Sequence, residues 1–350
     1  MAAAPKISKP VFWWLVVIGA MVCAMILVGG ATRLTDSGLS ITEWKPVTGA
    51  IPPLSLEAWQ AEFDLYRASP EYQLQNRGMS LSEFEFIYWW EWGHRFLGRM
   101  IGLVFFVPLV VFWLRKQIPT RMKPRLVGLL ALGGLQGFVG WWMVASGLVD
   151  RVDVSQYRLA AHLSLAFVIL GATLWLALEA HNGPATRGQG RLTRWALAFW
   201  GLVFVQIALG AFVAGLDAGR IFNTWPLMEG RLIPEGYLSG MGWFQAAFES
   251  RPAVQLHHRW MGYLVAIAAL VLMVALRRTG LPSLRKSAHG LVMLVGLQVA
   301  LGIATLMMAA PLCLSLLHQG GAIVLFLFAG LTAWRARLAN AARQISSKRL

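Results

Sequence analysis

Four of the seven histidines in this 350-residue chain sit where an ionisable side chain is expensive. His94, His162, His258 and His318 each lie within an apolar run long enough to cross a bilayer, toward the same end of the run. An imidazole in hydrocarbon needs a partner and is a functional candidate by default. One such residue would serve as a hydrogen bond between helices. Two pairs at one depth ask for something shared. One imidazole from each of two facing helices is the donor set that holds a haem by both axial positions in a four-helix bundle. Zinc is disfavoured, because no cysteine or carboxylate set accompanies the pairs apart from Glu91. His257 precedes His258 and points about 100° away on a helix, so His258, which aligns with His94, is the ligand candidate. His181 and His289 lie among basic residues and read as solvated.

The two pairs differ in their surroundings. Glu91 lies three residues before His94 and shares its helical face, whereas the equivalent position before His258 is Gln255, which cannot ionise. Near the outer boundary the Glu91 charge is expected to be hydrated. Beside a haem ligand it is a candidate acid/base or charge stabiliser. Arg95 and Arg99 in the first half and Arg259 in the second are candidate contacts for haem propionates or lipid phosphates. Gly98 and Gly262, one turn beyond His94 and His258, would leave room for a macrocycle.

These residues need membrane-spanning helices to carry them. The chain is 57% hydrophobic and 13% charged, with 17 Trp. A soluble domain could not hide that much apolar surface. Apolar runs near 11–31, 92–114, 125–147, 157–179, 193–215, 255–277, 288–310 and 313–335 each match the roughly 20 residues a transmembrane helix requires. They lack the alternation of a β-barrel. The expectation is an all-α integral membrane protein with eight transmembrane helices.

A net charge of +15 invites a nucleic-acid partner, but its distribution argues for none. Basic residues cluster in alternate loops: Lys6 and Lys9, Arg115 to Arg125, Arg187 to Arg194, Arg277 to Lys286, and Arg335 to Arg349. Glu179 is the one acidic residue on that side. This positive-inside pattern predicts both termini in the cytoplasm, membrane lipids as neighbours, and chemistry on the outer face. The first run is too long for a signal-peptide core and lacks a small-residue cleavage site, and the short leader is not Arg-rich, which favours a bacterial plasma (inner) membrane. Cys23 and Cys313, without a C-x-x-C, read as small buried hydrophobes.

The chain repeats itself. Gly29, Asp36, Gly38, Trp44, Gly49 and Pro53 recur at identical spacing as Gly210, Asp217, Gly219, Trp225, Gly230 and Pro234. GHRFLG from Gly93 answers HHRWMG from His257, and LQGFVG from Leu135 answers LQVALG from Leu297. Two tandem pseudo-symmetric four-helix bundles follow, 1–185 and 186–350, in the same orientation. In the outer loop Leu56, Trp59, Phe63 and Tyr66 share a helical face, which predicts a short helix lying in the membrane interface, with WFQAAF at 243–248 as its counterpart. Ser80 and Glu83 form a predicted capping box, so the second spanning helix would start outside the bilayer.

EWGHRFLGR, the Gly29–Trp44 segment and the two-half arrangement resemble the haem A synthase family, in its proteobacterial and mitochondrial branch, over essentially the whole chain. The resemblance implies an oxidoreductase acting on a CH3 group: haem O becomes haem A by successive hydroxylations of one porphyrin methyl to a geminal diol, which loses water to leave a formyl group. It implies that His94 and His162 bracket the substrate haem O with Glu91 as the essential carboxylate, and that His258 and His318 ligate haem b. It further implies a haem O synthase as upstream supplier, an electron-transfer partner, and terminal oxidase assembly as recipient. Self-association into a homo-oligomer stays open. Other branches carry an outer-loop cysteine pair, and this sequence has no cysteine there, so a thiol relay has no residues to use. Two other functions compete: a di-haem cytochrome b exchanging electrons with quinone, which would not need the Glu91/Gln255 difference, and a transporter using histidines as proton relays, which would not need two equivalent pairs.

Overall fold

A computed structural model describes residues 8–149, 151–184 and 190–347, with side chains as far as residue 339. The basic residues Lys6, Arg187, Lys348 and Arg349, and the side chain of Arg343, lie outside that set. Among the described residues, eight helices are long and apolar enough to cross a membrane. They are α1 (Lys9–Leu34), α4 (Leu81–Leu114), α5 (Lys123–Val144), α6 (Gln156–Asn182), α7 (Arg191–Gly215), α9 (Arg251–Arg277), α10 (Pro282–Met307) and α11 (Leu312–Ser347). Shorter helices α2 (Leu56–Arg67), α3 (Pro70–Leu74) and α8 (Trp243–Glu249) lie in the long loops that follow α1 and α7. No β-strand occurs among the described residues.

The helices pack in a pattern compatible with two tandem bundles. Helices α1 and α5 both flank α4 and α6, and α7 and α10 both flank α9 and α11. The histidine-bearing helices, α4 with α6 and α9 with α11, thus occupy opposite corners of each group. The groups meet where α6 lies on α7 and where α11 lies on α1 and α6. Phe167, Phe326, Leu170 and Ala329 fill that seam.

Two local features set where the site residues stand. Helix α4 has 34 residues and is about 50 Å long, more than the roughly 30 Å of hydrocarbon. Its first turn is closed by the expected capping box: the Ser80 side chain accepts from the Glu83 amide, and the Glu83 carboxylate accepts from Ser80 N. The extra turns form a post for the outer loop. Phe63 and Tyr66 of α2 are buried against Phe84, Ile87 and Tyr88 of α4, with Phe63 stacked on Phe84 at 4.9 Å. The predicted helix is therefore present, but its aromatic face is turned onto protein rather than into the membrane interface. Aromatic rings bury more area against one another than against headgroups, and the protruding end of α4 supplies the partner. Helix α8 forms at the expected counterpart position.

Two smaller expectations resolve simply. Glu179 is buried and carries Arg121 at 2.9 Å and Arg125 at 2.7 Å, so the acid that sequence places among the basic loops is paired. Cys313 is exposed rather than buried, because it lies one residue into α11 on a face that no other helix covers, while Cys23 is half-buried.

Candidate functional site

The two histidines of the second half face each other. The His258 and His318 rings have centroids 6.4 Å apart and planes at 81°. That gap accommodates one metal with a metal–nitrogen bond of about 2 Å on each side and the inner half of each ring. His258 Nδ1 is buried without a partner. In the first half His162 lies within electrostatic reach of His94. His257 points elsewhere, its Nε2 2.9 Å from the Tyr237 hydroxyl in the outer loop, which supports His258 as the ligand candidate. His181 and His289 are exposed, as expected.

Each of the four rings rests against a glycine of a neighbouring helix. A Cβ built at Gly29 would lie 3.1 Å from His94 Nε2, and one at Gly210 would lie 3.1 Å from His258 Cε1. At Gly140 and Gly302 it would lie 2.9 Å from the Cε1 of His162 and His318. No larger residue leaves the ring where it is. In the second half a facing pair of imidazoles with an unpartnered buried ring nitrogen fits an axially ligated haem, and the first half repeats the histidine pair with a glycine behind each ring.

The glycines chosen from sequence behave differently. A Cβ at Gly98 would meet Met25 Cε at 3.3 Å, and one at Gly262 would meet Gln206 Nε2 at 3.5 Å. They let α4 and α9 approach α1 and α7. The residues that sequence reasoning missed are Gly140 and Gly302 with the amides of Gln136, Gln206 and Gln298. A Gln-x-x-x-Gly spacing in α5, α7 and α10 was their available signal.

Glu91 is buried, and the expected hydration of its charge is overturned. Its Oε1 accepts from Arg95 Nε at 3.1 Å and Nη2 at 2.6 Å. Its Oε2 accepts from the Ser40 hydroxyl at 2.8 Å and the Ile41 amide at 2.7 Å. The outer loop folds back over the carboxylate and excludes water from it. Gln255 holds the same place in the second half but meets the opposite polarity. Its Nε2 donates to the carbonyls of Ala218 and Ile221, and its Oε1 accepts from Arg259 at 3.1 Å. Each loop thus presents groups matched to its own residue: donors to a carboxylate, acceptors to an amide.

The arginines share this work. Arg95 also donates to the carbonyls of Ile41 and Glu43, Arg99 to those of Lys45 and Pro46, and Arg259 to those of Phe222 and Thr224. Arg95 is committed to the loop and Glu91. Arg99 Nη1 and Arg259 Nε are buried without a partner, so these two retain an N–H for an anionic group.

Residues 12–329 match the COX15-CtaA family, described as cytochrome oxidase assembly proteins. This chain belongs to that family. Its relatives called haem A synthase include one from Maricaulis maris, 61% identical across 95% of this chain and 97% of its own length. Others come from Caulobacter vibrioides, 50% identical across 94% and 97%, and Agrobacterium fabrum, 49% identical across 92% and 88%. The chain is thus a multi-pass membrane member of the cytochrome oxidase assembly family, with its four intramembrane histidines arranged in two pairs.

Proposed function

We propose that the protein is a haem A synthase, with the first half as the reacting site and the second as the electron-handling one. It would oxidise one methyl group of haem O to a formyl group by successive hydroxylations, the final diol losing water. His94 and His162 would bracket the substrate haem, and His258 and His318 would ligate haem b, which supplies one-electron redox chemistry when bound. Arg99 and Arg259 each have an unpartnered N–H suited to a propionate.

The observation that carries this reading is the asymmetry between otherwise equivalent halves. Both offer an imidazole pair backed by glycines, but only the first places a carboxylate one turn from a ligand. Glu91 and its Arg95 partner put a fixed, dehydrated ion pair beside His94, where a charge developing on the substrate would feel it strongly. An electron-transfer cytochrome exchanging electrons with quinone would have no use for that difference.

The basic inner loops, Lys9, Arg121 and Arg125 among them, support an inner-membrane protein with both termini in the cytoplasm and the site toward the outer face. A haem O synthase would supply the substrate, a separate redox protein would take the electrons, and a terminal oxidase under assembly would receive the product. Pigment extraction from cells with and without the gene tests the reading. Haem A should disappear and haem O accumulate on deletion. Unchanged haem A would overturn it, and purified protein without a Soret band would favour a transporter.

A further inference from the structure

Three of the four histidines have an amide behind them, and the fourth does not. Gln136, Gln206 and Gln298 stand one turn before the glycines that back His162, His258 and His318. Each Nε2 donates to the main-chain carbonyl of its histidine, at 3.1, 3.1 and 2.6 Å respectively. Each also lies against a ring nitrogen of that histidine, at 3.2, 3.3 and 3.1 Å. The amide therefore touches both the backbone and the ring of the same residue, which restricts the imidazole's rotation.

In α1 the corresponding place, one turn before Gly29, is Met25. The correspondence is spatial: Met25 Cε stands over Gly98 as Gln206 Nε2 stands over Gly262. A thioether offers no N–H and flexes freely. His94 has no hydrogen-bond partner among the described residues. Met25 also lies in the half that carries Glu91. A reacting site must release its product on every cycle, whereas a resident cofactor need not leave.

We infer that Gln136, Gln206 and Gln298 are positioning residues that lock their imidazoles, and that Met25 leaves His94 unlocked so that the first half takes up and releases its haem on the His94 side. This rests on the reading of the two histidine pairs as haem ligands. Partners that hold a ligating imidazole commonly contribute about 10–100-fold to metal affinity, which sets the size of the expected effect.

The test uses the full-length protein in detergent micelles, loaded with iron protoporphyrin IX and mixed with excess apomyoglobin as acceptor. Haem transfer should show a fast phase, assigned to the first half by its disappearance in His94→Ala, and a slow phase that disappears in His258→Ala. Met25→Gln should slow the fast phase about 10–100-fold, while Met25→Leu leaves it as in the parent. Gln206→Met should accelerate the slow phase by a similar factor and broaden the low-spin electron paramagnetic resonance signal of that haem, since its ring orientation is no longer held. An unchanged fast phase in Met25→Gln overturns the inference. If that variant does not fold, Gln206→Met and Gln298→Met decide it, and release at the parent rate from both overturns it. A parent protein that binds no haem, or histidine variants that keep both phases, would overturn the haem reading along with it. Two assigned phases that ignore Met25 and the glutamines overturn the inference alone.

Discussion

At the scale of single residues, Glu91 and Gln255 are not interchangeable parts. The Ser40 hydroxyl and the Ile41 amide both point their hydrogens at Glu91 Oε2. In Glu91→Gln an amide NH2 placed there would meet donors, and if it is flipped it would meet Arg95 instead. Either way the two donors that met that oxygen lose it as an acceptor, at a cost of about 1–3 kcal/mol for each one left buried and unsatisfied. The variant should lose haem A formation and accumulate haem O or its alcohol, keep normal haem b, and unfold at lower temperature. Wild-type haem A output would remove Glu91 from the chemistry and leave it as a loop anchor. The backing glycines give a second, half-specific test. Gly302→Ala should push the His318 ring aside and remove the low-spin haem b signature, and Gly140→Ala should leave that signature intact while blocking substrate. Overpacking of this kind costs about 1–3 kcal/mol. The reduced-minus-oxidised spectrum of each variant distinguishes them.

At the scale of elements, the outer cap of α2 and α3 on the post of α4 has its own pH dependence. Glu71 is buried in α3, and burial pushes its carboxyl up to about 8, partly offset by the hydrogen bond from the Tyr66 hydroxyl at 3.0 Å. Its folded value lies above its unfolded one, so between about pH 4.5 and about pH 8 the folded cap binds more protons than the unfolded one. Stability should therefore fall as pH rises through that window. Amide hydrogen exchange, corrected for its intrinsic pH dependence, should show α2 and α3 opening more readily at pH 8 than at pH 5. Glu71→Gln keeps an acceptor for Tyr66 and should remove the difference. A cap equally protected at both pH values in the parent would contradict the account. The capping box of α4 and the existence of α2 were legible in sequence, because both are set by residues three or four apart on one helix. Which way α2 faces was not, since Phe84 and Tyr88 lie on another helix.

At the scale of the whole molecule, an arginine and a tyrosine tie the halves together at the end that carries the long loops: the Tyr157 hydroxyl donates to Glu249 at 3.0 Å, and Arg33 gathers carboxylates from both halves. Arg33, at the end of α1, pairs with Asp36 at 2.9 Å, with Asp217 of the second half at 3.0 Å, and with Asp153 at 3.6 Å. Asp36 and Asp217 are repeat equivalents, and both adopt left-handed backbone, at φ 48° and 50°. The repeat thus brings two equivalent left-handed positions to one cation. Arg33→Ala would leave three carboxylates facing one another and should lower stability by about 1–3 kcal/mol, less than a fully buried pair, because the aspartates are partly exposed. Thermal unfolding in detergent should show this loss at low salt and a smaller one at high salt, where the remaining repulsion is screened. Equal loss at both would mean that packing, not charge, joins the halves there. Deeper in the seam Gln319, next to His318, donates to the Ile26 carbonyl at 2.9 Å and so ties α11 to α1.

Sequence alone determined the eight spans, the two-half repeat, the four intramembrane histidines and the Glu91/Gln255 difference. Hydropathy and charge act along the chain, and the spacing of His94 from Glu91 is set within a single helix. The tertiary structure decided what those residues meet. Ser40 and Ile41 cover Glu91 only because the outer loop folds back onto α4. Gly140 backs His162 and Gly302 backs His318 only because neighbouring helices pack at one register. The amides of Gln136, Gln206 and Gln298 became visible as partners, and Met25 as the exception, only once helices were side by side. Contacts between helices depend on their relative rotation and depth, which no periodicity within one segment specifies.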